Sequence, residues 1–424
     1  MTYAETLAHI YALGRFGIKP GLSRITPLLA ALGNPQDSYA AVHVVGTNGK
    51  GSTASFLSSI LSAGGYRTGL FTSPHLISFT ERIRIDDAEV SEDEVATLAE
   101  RVMAAAPADT TFFEIVTALA ALYFAEKGVD IAVFEAGMGG RLDSTNVFNG
   151  MLCAITPVSL DHTDYLGGTL EEIATEKAGI CKPGTPMLSA RQHPDAERAI
   201  CRVAVEIGSR LYRCGEDFQA SWQQRRLRYR GIALTLDSLL PGLAGRYQAD
   251  NAALALAAAE LLGAAGFPVT RQAMKSGIEE ARWPGRMELF PGAPRVLLDG
   301  AHNPAGAAAL ADSLREIPRD RLLLVAGVMG DKELAGILAP ILPLVDRVFA
   351  VSPALERALP ASVLASFCRE AGVAAEEAGS VAEGIDMARA AAAPGDLVLV
   401  CGSLFTVGEA RGILLSRPYQ LFRG

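Results

Sequence analysis

The sequence contains no apolar run of membrane-spanning length. Its most apolar segments, residues 116–125 and 252–267, are short or broken by Glu260, whereas a bilayer helix needs ~20 such residues. No long basic run occurs and the net charge is −9, which argues against nucleic acid as a partner. The six cysteines (Cys153, Cys181, Cys201, Cys214, Cys368 and Cys401) include no CxxC pair and no metal-like cluster. They read as scattered buried thiols in a reducing compartment. Residues 1–13 lack the basic-then-apolar pattern of a secretory leader. There is no fixed-period repeat and no low-complexity tract. The expectation is a soluble, cytoplasmic, monomeric protein with no membrane and no nucleic-acid partner.

What is present is a globular composition, half hydrophobic and a fifth charged. The length of 424 residues exceeds one ordinary core, so two domains are expected. The chain is organised around Gly46-Thr47-Asn48-Gly49-Lys50-Gly51-Ser52. An apolar run over 41–45 leads in, and Phe56, Leu57, Ile60 and Leu61 follow at helical spacing. Strand, glycine loop and helix are the context of a phosphate-binding loop. Glycines let backbone N–H groups turn inward, and the helix N-terminus favours an anion. Lys50 adds a cation for the outer phosphates, and the Ser52 hydroxyl suits Mg²⁺. Strict Walker spacing is absent, since two residues separate Gly46 from Gly49 and Gly51 precedes Ser52. The mechanics of the loop survive that change.

Residues 1–32 look helical, with a break at 17–21. Beyond the loop the pattern predicts a helix over 52–63 and a strand over 68–72 ending in Ser73-Pro74-His75. A hairpin follows at 83–85 with an Asp86-Asp87 turn, then helices over 91–105 and 111–126, the first begun by Ser91 and Glu94. Segments 131–135 and 152–156 read as strands buried on both faces, as in a parallel sheet. Residues 208–236 approach alternation, and 251–265 is an alanine-rich helix. Glycine and proline punctuation at 285–294 marks a domain boundary. Strands over 295–299, 322–326, 347–351 and 397–401, with a helix over 304–316, form a second series. The expected fold is α/β. Residues 1–288 make a P-loop-type mononucleotide-binding domain with a mostly parallel sheet and a small antiparallel insertion. Residues 289–424 make a smaller, Rossmann-like C-terminal α/β domain.

Several residues stand past the carboxyl ends of strands, where open α/β sheets bind ligands. Glu135 suits a Mg²⁺ site beside the phosphate loop, and equally a cap for the turn Gly137-Met138-Gly139-Gly140. Arg141 and Asp143 flank an expected substrate groove. His162, after Asp161, offers a neutral imidazole to a metal, although on the residues alone a structural histidine fits better. Thr169 and Glu172 start a helix on which Leu170, Ile173, Ala174 and Lys177 share a face. A lysine carried inward is desolvated, which favours its neutral, reactive form. A carbamate formed with CO₂ would then make it an anionic metal ligand. The plainer alternative is an amine that snorkels to solvent. Arg286, in Trp283-Pro284-Gly285-Arg286, can close onto phosphates when two domains meet. Asp299-Gly300-Ala301-His302-Asn303-Pro304 ends a strand where a ribose or amino group would be held, though a turn and a helix cap explain the same residues.

Together these stretches resemble the Mur ligase superfamily and, within it, the folylpolyglutamate synthases, including the bifunctional dihydrofolate synthases of bacteria. The likeness rests on 46–52, Thr72-Ser73-Pro74-His75, Phe112-Phe113-Glu114, 135–146, Leu160-Asp161-His162, 176–180, Gly245-Arg246-Tyr247-Gln248 with Asn251, 283–286, 299–304 and Cys401-Gly402-Ser403. These run in order across nearly the whole chain. The resemblance implies ATP-dependent addition of L-glutamate to folates, and to 7,8-dihydropteroate, through an acyl phosphate. It implies that Gly46, Thr47, Asn48, Gly49, Lys50, Gly51 and Ser52 hold the phosphates of the co-substrate ATP, with Asn251, Arg286 and Asp299 on the nucleotide. Ser52, Ser73 and Glu135 would surround one Mg²⁺, and His162 with carbamylated Lys177 a second; K⁺ is a further candidate. Lys50, Lys177 and His302 are the implied catalytic residues. His302 and Ser403 would meet the incoming glutamate. Gly21, Leu22, Ser23, Arg24, Thr72, Phe112, Phe113, Glu114 and Leu142 would line the pteridine and benzoate site.

Two other readings compete. A Mur-type ligase for a peptidoglycan nucleotide would need a uridine-nucleotide domain ahead of the loop, and 45 residues precede Gly46. A non-catalytic nucleotide-binding regulator would be expected to have lost Glu135, His162 or the 299–304 segment, and all stand.

Overall fold

The computed structural model of the protein describes residues 1–17 and 19–420; residue 18, inside the break expected at 17–21, lies outside them. Two sheets carry the fold. The larger has eight strands in the order Ala88–Glu89, Ile83–Ile85, Thr68–Phe71, Ile131–Glu135, Ala40–Val45, Gly150–Ile155, Met187–Ser189 and Leu211–Arg213. Neighbours run parallel except at the Ile83–Ile85 hairpin on one edge. Asp86 and Asp87 turn that hairpin at φ 50° and 65°, the left-handed pair a tight two-residue turn requires. The smaller sheet has six strands in the order Glu288–Phe290, Arg295–Leu298, Leu397–Cys401, Leu322–Ala326, Arg347–Val351 and Ala375–Gly379, with the first antiparallel. The α/β architecture is therefore the expected one.

Continuous apolar strands need helices on both faces, and the core shows that arrangement. On one face of the large sheet Val42, Val44 and Val133 pack against Phe56 and Ile60 of helix Lys50–Ala63 and Leu256 of helix Gln248–Ala264. On the other, Ala41 and Phe134 pack against Leu119 and Phe124 of helix Phe112–Glu126. Capping boxes begin the helices at Ser91/Glu94, Thr111/Glu114 and Thr169/Glu172. The smaller sheet also buries both faces. The cysteines are all free, with Cys201 half-buried and the rest buried. Among the described residues no helix is long and apolar enough to cross a membrane.

Two expectations shift. Leu211–Arg213, at the start of the expected insertion, joins the edge of the large sheet. The insertion proper is a three-stranded antiparallel sheet, Gln219–Gln223, Arg226–Arg230 and Thr235–Leu239, where the alternation of Leu227 and Tyr229 with arginines holds. The punctuated stretch 285–294 also contains a strand. Glu288–Phe290 pairs with Arg295–Leu298, so Pro291, Gly292 and Pro294 belong to a hairpin turn.

Candidate active site

Loops from both sheets line one cleft of 290 Å³. Parallel register fixes its floor. Glu135 stands opposite Val44, and Ile155 opposite Val45. The phosphate loop therefore leaves its strand between the ends of two neighbours, with Glu135 on one side and Thr156 on the other.

The loop is tightly enclosed. Gly46 sits at φ 149°, and a Cβ there would lie 1.9 Å from Thr156 Oγ1 and 2.8 Å from its carbonyl oxygen. A Cβ on Gly49, at φ 87°, would lie 2.4 Å from Asn251 Oδ1, and one on Gly51 would meet the Trp283 ring at 2.6 Å. Gly46→Ala should therefore lower stability by about 1–3 kcal/mol, the usual effect of overpacking. It should also weaken nucleotide binding; thermal melting and titration with AMPPNP check the two effects.

Not every loop amide turns inward as the sequence suggested. The N–H groups of Thr47 and Asn48 both donate to Pro157 O, at 3.0 and 3.2 Å, which anchors the loop's first half to the neighbouring connection. Helix Lys50–Ala63 begins two residues earlier than expected. Its first amides, which precede the Thr53 N–H to Gly49 O bond, are the ones free of an intrahelical acceptor. Lys50 Nζ reaches back to Thr47 O at 3.0 Å.

Around the loop, Gly46 through Ser52, Ser73, Glu135, His162, Lys177, Asn251, Arg286, Asp299 and His302 all line the cleft. Ser73 N–H donates to Glu135 Oε2 at 3.1 Å. Burial pushes the Glu135 carboxyl up, against the charges of Lys50 and Arg286 and the Ser73 bond. Lys177 is 5% exposed, and its Nζ donates to Gly46 O at 2.8 Å. The amine thus points at the phosphate loop and does not snorkel. Burial, then nearby Lys50, pushes it down to about 7. The His302 ring donates Nδ1–H to Gly300 O at 2.8 Å, because a carbonyl only accepts, and this leaves Nε2 as the lone-pair nitrogen. Burial holds that imidazole down to about 4. Arg286 lies over Gly300, where a Cβ would stand 2.0 Å from its guanidinium. Asp299 accepts from Tyr247 Oη and Met287 N, both at 3.0 Å, and from Ala301 N at 2.9 Å. It ties the junction of the two sheets together as well as facing the cleft.

The remaining candidates gather beside the cleft. Gly21 N–H donates to Leu142 O at 3.0 Å, and Arg24 Nε to Glu114 Oε2 at 3.0 Å. The loop of Gly21, Leu22, Ser23 and Arg24 thus meets both Leu142 and the start of helix Phe112–Glu126. The Phe113 ring lies under Gly137, whose Cβ would be 2.5 Å from it, and Thr72 is buried next to Ser73. Some side chains are already engaged. Glu114 completes the capping box on Thr111, and the Ser403 hydroxyl accepts Thr406 N–H at 3.0 Å as the cap of helix Leu404–Leu415. Asp143, expected at a groove, is buried and accepts from Met138 N and Thr145 N within its own turn.

Sequence reasoning missed Gln248 and Lys332 as individual contributors. Gln248 Nε2 donates to Ser52 Oγ at 3.3 Å, and Asn251 Nδ2 to Gln248 Oε1 at 2.9 Å. The available signal was two amides three residues apart in an otherwise alanine-rich helix, which share a face. Lys332 Nζ donates to Asp161 Oδ1 at 2.7 Å, and no local pattern marks it.

Comparison with known proteins shows the family and the fold. The family described as Mur ligase middle domain matches residues 44–259, and that described as Mur ligase, glutamate ligase domain matches residues 285–404. A probable bifunctional folylpolyglutamate synthase/dihydropteroate synthase of Halobacterium salinarum is 40% identical over 426 residues, covering 97% of this chain and 51% of the relative. The chain thus spans about half the length of that curated relative. The solved structure of Escherichia coli FolC in complex with DHPP and ADP superposes with a TM-score of 0.91 at 34% identity, covering 98% of each chain. A bifunctional folylpolyglutamate synthase/dihydrofolate synthase from Yersinia pestis, complexed with AMPPNP and Mn ion, gives 0.89 at 33% identity, again over 98% of each.

Proposed function

The chain belongs to the Mur ligases, in the folylpolyglutamate synthase/dihydrofolate synthase family, and from this we propose that it is an ATP-dependent carboxylate–amine ligase joining L-glutamate to a folate. The observation that carries the proposal is the meeting, in one cleft, of the phosphate loop, Glu135, Lys177 and His302. The acceptors are tetrahydrofolates, which are polyglutamylated, and 7,8-dihydropteroate.

The chemistry follows from charge. The acceptor carboxylate must attack the γ-phosphorus of ATP, so like charges meet. Lys50 and Arg286, both on the cleft, offset that repulsion where it peaks. The bond from the γ-phosphorus to the bridging oxygen breaks, ADP leaves and an acyl phosphate remains. The glutamate amine then attacks the acyl carbon and phosphate departs. The proton that the amine sheds passes to the departing phosphate, and the neutral His302, whose Nε2 lone pair faces the cleft, accepts a hydrogen bond from the incoming amine. An acyl phosphate hydrolyses readily, so a cleft closed by two domains is required to exclude water.

The residues also fit a divalent ion. Among the described residues no three or more His, Cys, Asp or Glu side chains gather as a cage. Mg²⁺ needs none when one or two carboxylates act with substrate phosphates. Glu135, with the hydroxyls of Ser52 and Ser73 on the same rim, is such a set. His162 and a carbamate on Lys177 would hold a second ion, with K⁺ as a further candidate. Bound there, Mg²⁺ would screen the phosphate charge from the incoming carboxylate.

The test is phosphate release from ATP by the purified chain with L-glutamate, run in parallel with dihydropteroate and with a tetrahydrofolate monoglutamate. Release that requires glutamate and either acceptor supports the proposal. No acceptor-dependent release with either would remove it.

A further inference from the structure

We propose that Lys332 and Asn303, on loops of the smaller sheet, are positioning residues that clasp Asp161 and Asn48 of the larger one, so that the phosphate loop and His162 reach working geometry only when the two sheets' loops are engaged. The inference rests on the ligase reading above for its consequence in turnover, and on geometry for the clasp itself.

The first clasp is a reciprocal amide pair. Asn48 Nδ2 donates to Asn303 Oδ1 at 3.2 Å, and Asn303 Nδ2 to Asn48 Oδ1 at 2.9 Å. The orientation of Asn303 is set independently, because Gly306 N–H donates to its Oδ1 at 2.8 Å as the cap of helix Pro304–Leu314. That bond fixes which end of the Asn303 amide is the oxygen, so its nitrogen is the group offered to Asn48 Oδ1. Asn48 in turn is held through its own N–H on Pro157. A shift of the smaller sheet's first helix is therefore passed to the loop that holds phosphates.

The second clasp is an ion pair. Lys332 Nζ stands 2.7 Å from Asp161 Oδ1, with the side chains 19% and 11% exposed, which protects the pair from full salt screening. The same Oδ1 accepts the His162 N–H at 3.0 Å. His162 sits at φ 52°, a left-handed conformation that persists only where its surroundings over-determine it. Asp161 Oδ2 faces His162 Nε2 at 4.0 Å and His302 Nε2 at 3.9 Å. Asp161 thus holds His162 through its backbone N–H and stands beside both cleft histidines, and Lys332 locates the carboxylate. Lys332 itself is not among the residues lining the cleft, which separates it from groups that would touch substrate.

Lys332→Met keeps the stem and removes the charge. It should lower kcat about 10–10²-fold, the effect of sub-ångström misplacement of reacting groups, while the AMPPNP dissociation constant stays within about twofold. Lys332→Arg should recover turnover to within about threefold, since it restores the pair. Asp161→Asn combined with Lys332→Met should be no worse than the more impaired single variant, the sign of coupled residues. Asn303→Ser keeps a cap but cannot reach Asn48, and should speed hydrogen exchange over residues 46–50 in the AMPPNP-bound chain. Wild-type kcat in Lys332→Met would overturn the inference. So would a raised KM for glutamate with unchanged kcat and unchanged exchange over 157–162, which would make Lys332 a substrate contact. Exchange is measured without turnover, so an inactive wild-type chain would overturn the ligase reading while the clasp is still decided.

Discussion

Lys50→Ala should lower turnover with ATP, L-glutamate and a tetrahydrofolate by about 10²-fold or more, the usual loss when one positioned charge-stabilising group is removed. Lys50 is the first residue of helix Lys50–Ala63, and its Nζ lies over the loop at Thr47 O. Its ammonium is therefore delivered where the helix N-terminus already favours negative charge. The side chain is half-buried at the cleft rim, so the melting temperature should hardly change. Single-turnover phosphate transfer is the measurement, and a well-folded variant with near wild-type turnover would remove Lys50 from the mechanism.

Lys177→Ala should be at least as damaging, and in a different way. The amine is buried, bonded to Gly46 O and pushed down to about 7 by burial and by Lys50. That shift favours the neutral amine, the form that would attack CO₂. In the carbamylation proposed here a nitrogen–carbon bond would form, the amine proton would leave to solvent, and a carbamate anion would replace a cation beside the phosphate loop. Lys177→Ala should bind ATP within a few-fold of wild type yet fail at acyl phosphate formation, with turnover lower by about 10²-fold or more from the missing anionic group. Acetate or formate in excess should restore part of the activity, and salt of equal ionic strength should not. Intact mass in bicarbonate, or density on the amine, shows the modification directly. An unmodified Lys177 in a nucleotide-bound, bicarbonate-containing crystal would overturn it.

The placement of both residues on the cleft was legible in the sequence, for different reasons. Lys50 follows from a strand–loop–helix signal confined to neighbouring residues. Lys177 follows from helical spacing with Ile173 and Ala174 behind a capping box, and burial of that face is what the structure shows. The strands 131–135, 322–326, 347–351 and 397–401 were legible because a doubly covered strand is an unbroken apolar run. What was not legible depends on pairs far apart in the chain. Asp161 and Lys332 are separated by 171 positions, and Asn48 and Asn303 by 255. Neither pair leaves a periodic trace. The turning of the Thr47 and Asn48 amides toward Pro157 is likewise set by a neighbouring strand's connection. Glu114 and Ser403 show the converse: their side chains serve helix caps, a local role visible in Thr111 three residues before Glu114 and Thr406 three residues after Ser403.

The packing of Trp283 on Gly51 gives the chain an optical reporter. The indole lies so close that a Cβ on Gly51 would stand 2.6 Å from Nε1 and 2.7 Å from two ring carbons, with the Arg84 guanidinium 5.6 Å from the ring centre. The sequence has two tryptophans, and the other, Trp222, belongs to the three-stranded insertion, with Nε1–H donated to Arg246 O. Removing Trp222 as Phe leaves a single tryptophan, seated on the phosphate loop. Its fluorescence should then follow nucleotide binding and release in real time, with no label attached and none of the six thiols touched.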